Sequence, residues 1–270
     1  MWSSRSLPHE IHEETVRGRA YRQSFQRPAR GPILLSVCMK NFLIAAFAVM
    51  MGALSKLVAQ SEVPVEVVSY TLRQSSTGFI YVIGEVRNTY KEPLCFVQID
   101  ITYLDDKGNP VGVDRFTAKD AGTMSMDQVM ADRDVIPAGE TSSFSRVRDM
   151  SKLKATVASC KVTAKGLRLK DAAMGASVSG VQTAREGKNF RVRGTFTSTG
   201  QARCKNPRVV AVGYDKSGKP QAVSKSYLKD NSGKDIAQLD PRQSANFNFI
   251  LIDDAANVET VNVFSSCECE

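Results

Sequence analysis

The stretch Phe96-Val97-Gln98-Ile99-Asp100-Ile101-Thr102-Tyr103-Leu104 decides the fold class. Its apolar side chains occupy every second position, Val97, Ile99, Ile101 and Tyr103, which is the period of a half-buried strand. It runs into Asp105-Asp106-Lys107-Gly108-Asn109-Pro110, where an Asp side chain caps a turn and Gly accepts positive φ. Upstream, Phe79 to Val86 is a second strand rich in β-formers. Downstream, Ser142 to Arg148 and Lys154 to Lys165 are read as later strands.

The pattern recurs 110 residues on. That shift superposes Ser69 on Ser179, Val82 on Val192, Gly84 on Gly194, Asp105 on Asp215, Gly108 on Gly218 and Pro110 on Pro220. It also superposes Lys119 on Lys229 and Asp120 on Asp230, and Cys95 meets Cys204 with a one-residue slip. After a shorter loop in the second copy, Pro137 pairs with Pro241, Phe144 with Phe247, and Ala158-Ser159-Cys160 with Ser265-Ser266-Cys267. The second copy's strands fall at Val209 to Tyr214, Ser244 to Ile252 and Val258 to Ser266. Ordered matches over a whole domain length imply two homologous domains. Short strands with turn signals between them make each an all-β sandwich. The expected organisation is a first domain at 61–165, a linker at 166–173 and a second domain at 174–270.

The chain's 270 residues carry a net charge of +8, but that charge is unevenly placed. Residues 1–60 hold eight of the 36 basic side chains and three of the 28 acidic ones, so residues 61–270 keep 28 and 25, a net of +3. Near balance gives no electrostatic case for nucleic acid or an anionic membrane. From Met39 the chain reads as a secretory signal over 39–60: Lys40, an apolar run from Phe42 to Leu54, then small and polar residues up to Gln60. The run is shorter than the roughly 20 residues that span a bilayer; an uncleaved anchor is the alternative. Residues 1–38 are Arg-rich without strand alternation and are read as sequence upstream of the natural start. The expectation is an exported protein, periplasmic or secreted, with no membrane span after cleavage.

The strand ending in Tyr103-Leu104-Asp105, and its counterpart ending in Tyr214-Asp215, resemble the FxLYD domain, a small immunoglobulin-like module of exported bacterial proteins. The motif's leading Phe is absent from both copies. The resemblance spans nearly all of residues 65–165 and 175–270. It implies two tandem immunoglobulin-like β-sandwich domains and an exported location, and brings no settled activity.

Each copy has one cysteine before its third strand and one near its end. In an oxidising compartment this placement implies the disulfides Cys95–Cys160 and Cys204–Cys267, with Cys269 the alternative partner of Cys204. No metal or cofactor is expected. A site on Cys267-Glu268-Cys269 would need both copies' cysteines to converge.

Both histidines, His9 and His12, lie in the leader, so the mature domains lack the side chain most used in acid–base catalysis near neutral pH. No catalytic residue is assigned. The carboxylate pairs Asp105-Asp106 and Asp253-Asp254 are read as solvated turn residues. Two features are candidate binding surfaces. One is the loop from Lys119 to Asp134 with Met124, Met126 and Met130, alternatively a short helix packing its methionines on the sandwich. The other is a basic cluster of Arg185, Lys188, Arg191, Arg193, Arg203, Lys205 and Arg208, with Arg191 and Arg193 on one exposed strand face. The function expected is non-catalytic binding of a protein or glycan of the cell envelope. A structural spacer is the runner-up, and a hydrolase using carboxylates alone the distant third.

Overall fold

A computed structural model describes residues 62–114, 123–170, 175–252 and 257–268. The expected signal segment at 39–60, residues 1–38, the pair Asp253-Asp254 and Cys269 lie outside the described residues.

The first copy folds as β1 (Glu62–Gln74), β2 (Phe79–Arg87), β3 (Leu94–Leu104), β4 (Val113–Asp114), β5 (Thr123–Met124), β6 (Asp127–Met130), β7 (Val135–Ile136), β8 (Thr141–Asp149) and β9 (Ser159–Arg168). A single 3₁₀ turn, Met150–Lys152, follows β8. Strand β1 pairs with β9 over Glu62–Val65 and with β2 over Glu66–Gln74, with a bulge between Val67 and Ser69. It thereby passes from one layer of the sandwich to the other. Hydrogen bonding runs β6-β3-β9-β1-β2-β8, with β7 also on β3. Ile80, Val82 and Val86 share one buried core with Leu94, Val97, Ile99, Ile101 and Tyr103. The alternation in β3 is the one its sequence shows.

The second copy contains β10 (Ala176–Glu186), β11 (Asn189–Ser198), β12 (Cys204–Lys205), β13 (Arg208–Tyr214), β14 (Pro220–Tyr227), β15 (Gln238–Leu239), β16 (Ser244–Leu251) and β17 (Thr260–Ser266). Sheets β10-β11-β16 and β14-β13-β17 enclose Phe190, Val192, Phe196, Phe247 and Leu251 against Val209 and Ala211. The described chain is all-β, with every strand pairing antiparallel.

The copies share backbone devices as well as residues. Gly84 lies opposite Phe144 and Gly194 opposite Phe247, and in each the ring lies on the glycine. Phe96 and Asn206 have φ of 49° and 42° at the entry to β3 and β13. Asp105 and Asp215 each accept two backbone N–H bonds across an Asp-x-x-Gly turn. Asp230 repeats that turn a third time, ahead of Gly233.

Later matches need correcting, because insertions shift the register. Met130 and Tyr227 lie opposite the equivalent residues Gln98 and Arg208, an offset of 97. The first copy's extra chain is therefore the excursion through the β4–β5 hairpin before β6, not the loop from Lys119 to Asp134 as a whole. Strands carry Met124 and Met130, Met126 lies in the bend between them, and no α-helix occurs among the described residues. At the end, Lys165 and Ser266 face that same equivalent pair, so Cys267 is the counterpart of Gly166 and not of Cys160.

That shift overturns the Cys95–Cys160 disulfide. Cys95 lies opposite Leu167 and Cys160 opposite Tyr103, so the two cysteines occupy opposite ends of the β3–β9 ladder. Eight residues along a strand is roughly 26 Å, whereas a disulfide needs Cα atoms less than about 7 Å apart. Both residues are buried, and no disulfide joins them to each other. Cys204–Cys267 does form, with Cα atoms 5.2 Å apart. The expected linker at 166–173 also begins inside β9, which continues to Arg168.

Candidate binding surfaces

The two copies meet through sheet faces. All six residues from Val209 to Tyr214 are buried, because the inner face of β13 joins its own core while Val210, Val212 and Tyr214 form a second apolar cluster with Val223 and Phe264. This cluster belongs to the face turned toward β1, β2 and β8 of the first copy. Polar bonds fix the join. The Tyr214 hydroxyl donates to Glu85 Oε1 at 2.6 Å. Lys225 Nζ donates to Asp132 Oδ1 at 2.8 Å, and Ser143 Oγ to Asp132 Oδ2 at 2.7 Å. Arg208 donates to Asp134 at 2.6 Å, and the Asp134 N–H to Ser266 Oγ. Burial pushes the Asp132 and Asp134 carboxyls above the usual carboxylate range, against the pull of Lys225 and Arg208. Burial and Glu85 raise the Tyr214 phenol.

Two crevices flank this join. One, about 200 Å³, has Arg133, Pro137, Gly175, Thr199 and Ser265 in its wall, beside Cys267 of the disulfide. Arg133 is committed there: its guanidinium bonds Glu140 at 2.7 Å and the Thr141 carbonyl at 3.0 Å, and lies over Phe264. The other, about 210 Å³, is framed by Arg73, Tyr81 and Val147 on one side and Gln221, Ser224 and Ile252 on the other. Arg73, Tyr81 and Val147 form one row across β1, β2 and β8, since Arg73 and Val147 are the ladder partners of Tyr81 on either side. The Arg73 guanidinium stacks over the Tyr81 ring at 4.5 Å. Val147 and Ile252 are 50% and 55% exposed, which leaves an apolar floor open to solvent.

The expected basic cluster is dispersed. Arg191 and Arg193 do share the outer face of β10-β11-β16, as their spacing implies. Arg191 forms a two-pronged bond to Glu186 and reaches Asn248, and Arg193 donates to Gln182. Thr195–Asn246 and Thr197–Ser244 continue this polar ladder. Arg185 bonds the Val258 carbonyl and stacks on Phe190, Arg203 pairs with Asp240, and Arg208 turns into the join between copies. The three methionines do not converge: Met124 pairs with Val113 in the β4–β5 hairpin, while Met130 lies opposite Gln98, with Met126 between them in sequence. Asp105 and Asp215 are turn caps. Among the described residues no group of three His, Cys, Asp or Glu side chains is placed to hold a metal ion.

Sequence reasoning passed over the join and its crevices. The signal was present in β13, where the unbroken run Val209-Val210-Ala211-Val212 replaces the alternation of β3. A strand apolar at every position is covered on both faces.

No family model matches the chain, and neither does any curated protein. Among solved structures, red sea bream transglutaminase is 10% identical over 87% of this chain and 34% of its own, with a TM-score of 0.25. The chain therefore spans about a third of that protein's length. An allantoicase is 10% identical over 80% of this chain and 93% of its own, with a TM-score of 0.13. No helix among the described residues is long and apolar enough to cross a membrane.

Proposed function

We propose that the mature chain is a non-catalytic, exported binding protein of the cell envelope or extracellular space, and that its ligand sits in the crevice framed by Tyr81, Val147 and Ile252. The observation that carries this is the placement of exposed apolar side chains from both copies around one concavity with polar groups at its rim. Concave, partly apolar sites with a few polar groups are where ligands bind. The Cys204–Cys267 disulfide fits an oxidising compartment, and the FxLYD resemblance points to the same location. A binding role also accords with domains that contain no histidine. The polar face carrying Arg191 and Arg193 is secondary, because those arginines already have partners.

The test uses glycan arrays and panels of envelope-derived peptides probed with the purified mature protein, alongside Tyr81→Ala/Val147→Ser and Arg191→Ala/Arg193→Ala variants. Binding abolished by the first pair and kept by the second is expected. Binding lost only with the arginines moves the site to the β10-β11-β16 face, and no retained ligand in any panel favours a structural spacer.

A further inference from the structure

Building on that crevice as the binding site, we infer that its occupant is a carboxylate carried on a small aliphatic group, and that the source is the C-terminal residue of a polypeptide, with Arg73 as the anion contact.

Arg73 is the starting observation. Its guanidinium stacks on Tyr81, and no hydrogen-bond or ion-pair partner for it occurs among the described residues. The other interior or crevice-facing arginines are all engaged: Arg133 with Glu140, Arg146 and Arg148 with Asp127, Arg208 with Asp134. Stacking orients the guanidinium plane and leaves its edge of N–H groups available, the geometry that receives a carboxylate through two parallel bonds. The surrounding polar groups are also donors. The Ser224 hydroxyl accepts from the Ile252 N–H, which leaves its own proton free. The Ser145 hydroxyl makes no bond within the described residues. The Gln221 amide N–H groups are already given to Asp215 and Thr71, which leaves its neutral carbonyl oxygen as an acceptor. Asp215, the carboxylate nearest in this network, is tied into its own turn by the N–H groups of Ser217 and Lys219. Among the described residues, no carboxylate lines the crevice. A site with a charged donor and no charged acceptor among its described lining residues is complementary to an anion.

Size and lining choose the rest of the ligand. About 210 Å³ is below the roughly 300 Å³ at which sites for drug-sized ligands begin, and holds one amino-acid-sized group. The walls around the Arg73 edge are Ile83, Val147, Ala222, Val223 and Ile252, aliphatic on both sides of the join. Tyr81, the aromatic ring here, already has Arg73 stacked on one of its faces, which takes that face away from a sugar. A terminal Leu, Ile or Val with its free carboxylate satisfies both halves of the site.

The experiment uses the disulfide-intact mature chain and labelled five-residue peptides ending in Leu, as free acid and as amide. A uronic-acid oligosaccharide serves as the third probe, and binding is followed by fluorescence polarisation and by backbone NMR shifts. The free acid is expected to bind about ten- to a hundredfold more tightly than the amide, the worth of a charged hydrogen-bonded contact. Arg73→Met should bring the free acid down to the amide and leave the amide unchanged, with Arg73→Lys recovering part of the difference. Unchanged thermal unfolding of these variants separates lost contact from lost fold. Equal affinity of acid and amide, or indifference to Arg73→Met, overturns the carboxylate inference. If the oligosaccharide alone binds, and shifts Tyr81, Val147 and Ile252, the peptide assignment falls while the crevice stands. If a bound probe leaves those three signals unmoved, the crevice itself is overturned.

Discussion

At Gly84 and Gly194 a single hydrogen atom in place of a side chain decides whether the two layers can close. A Cβ at Gly194 would lie 2.7 Å from Phe247 Cζ and 3.0 Å from the Ser179 carbonyl oxygen. At Gly84 the Phe144 ring is nearer still, and the Ser69 oxygen lies at 2.7 Å. Rings and backbone resist such displacement, so each Gly→Ala change should cost about 1–3 kcal/mol in urea unfolding, and Gly84→Ala more than Gly194→Ala. A second residue-level test concerns the buried carboxylates, whose pH signatures differ in sign. Asp127 is buried, which pushes its carboxyl up, but bonds from Arg146 and Arg148 outweigh that and hold it below the usual range. Its contribution is therefore complete above the unfolded value near pH ~3.9 and is lost as pH falls through the lower folded value. Asp132 is raised, so its contribution is complete below the unfolded value and is lost as pH rises through the folded one. Asp127→Asn should cost about 3–5 kcal/mol at pH 7, because it removes the charge that the buried Arg148 guanidinium pairs with, and the cost should shrink toward pH 3. Asp132→Asn should cost far less at pH 7. Stability profiles of the two variants from pH 3 to 8 check both signs.

Among the elements, the β3–β9 and β13–β17 ladders carry the cysteines, and their registers set different fates for each pair. Cys204–Cys267 closes a separation of 63 residues, so its removal should cost on the order of 2–5 kcal/mol, chiefly through the unfolded state. Cys160→Ser should produce no such loss of cross-link. Burial lifts the Cys160 thiol to about 11, so alkylation at neutral pH should be slow until the chain is unfolded. Peptide mapping without reductant should return Cys204 joined to Cys267, and a Cys95–Cys160 link would contradict the observed register. These ladders also show what the sequence makes legible. Alternation in Phe96–Leu104 and the Asp-x-x-Gly turns are local signals, and both appear as read. Repeat matching held as far as Pro110 and Pro220, where no insertion intervenes. Beyond them it held again at Phe144 and Phe247 but failed at the C-terminal cysteines, because loop lengths are set by the surface and two unrelated Ser-Cys pairs mimicked continuity. The crevice was hidden for another reason: Arg73, Tyr81, Val147 and Ile252 come from four strands or strand ends of two copies, and only tertiary packing brings them into one place.

For the molecule as a whole, the repeat explains both why the copies associate and why association stops at two. The face of the first copy that receives the second displays Tyr81, Ile83 and Glu85, with Ser143, Ser145 and Val147 beside them. Its equivalent on the second copy displays Arg191, Arg193 and Thr195 with Asn246, Asn248 and Ile250. Likewise Val210 and Val212, buried on the outer face of β13, correspond to Asp100 and Thr102 on the first copy's own outer face. Both end faces are thus more polar than the internal faces, which is how repeat arrays cap themselves. We therefore expect the mature chain to be a monomer by light scattering. We further expect the join to be a property of the second copy's exposed apolar face. Isolated as residues 172–270, that copy should bind a hydrophobic dye and self-associate, since Val210, Val212, Val223 and Phe264 lose their cover. Giving it the first copy's residues, Val210→Asp/Val212→Thr, should restore a dye-free monomer, because those positions then carry what the same strand carries in solvent. The same pair in the full chain should split a shared unfolding transition into two, with the second copy released. If the isolated second copy is already monomeric and dye-free, the apolar face is not what holds the copies together, and the polar bonds Tyr214–Glu85 and Lys225–Asp132 must supply the join instead.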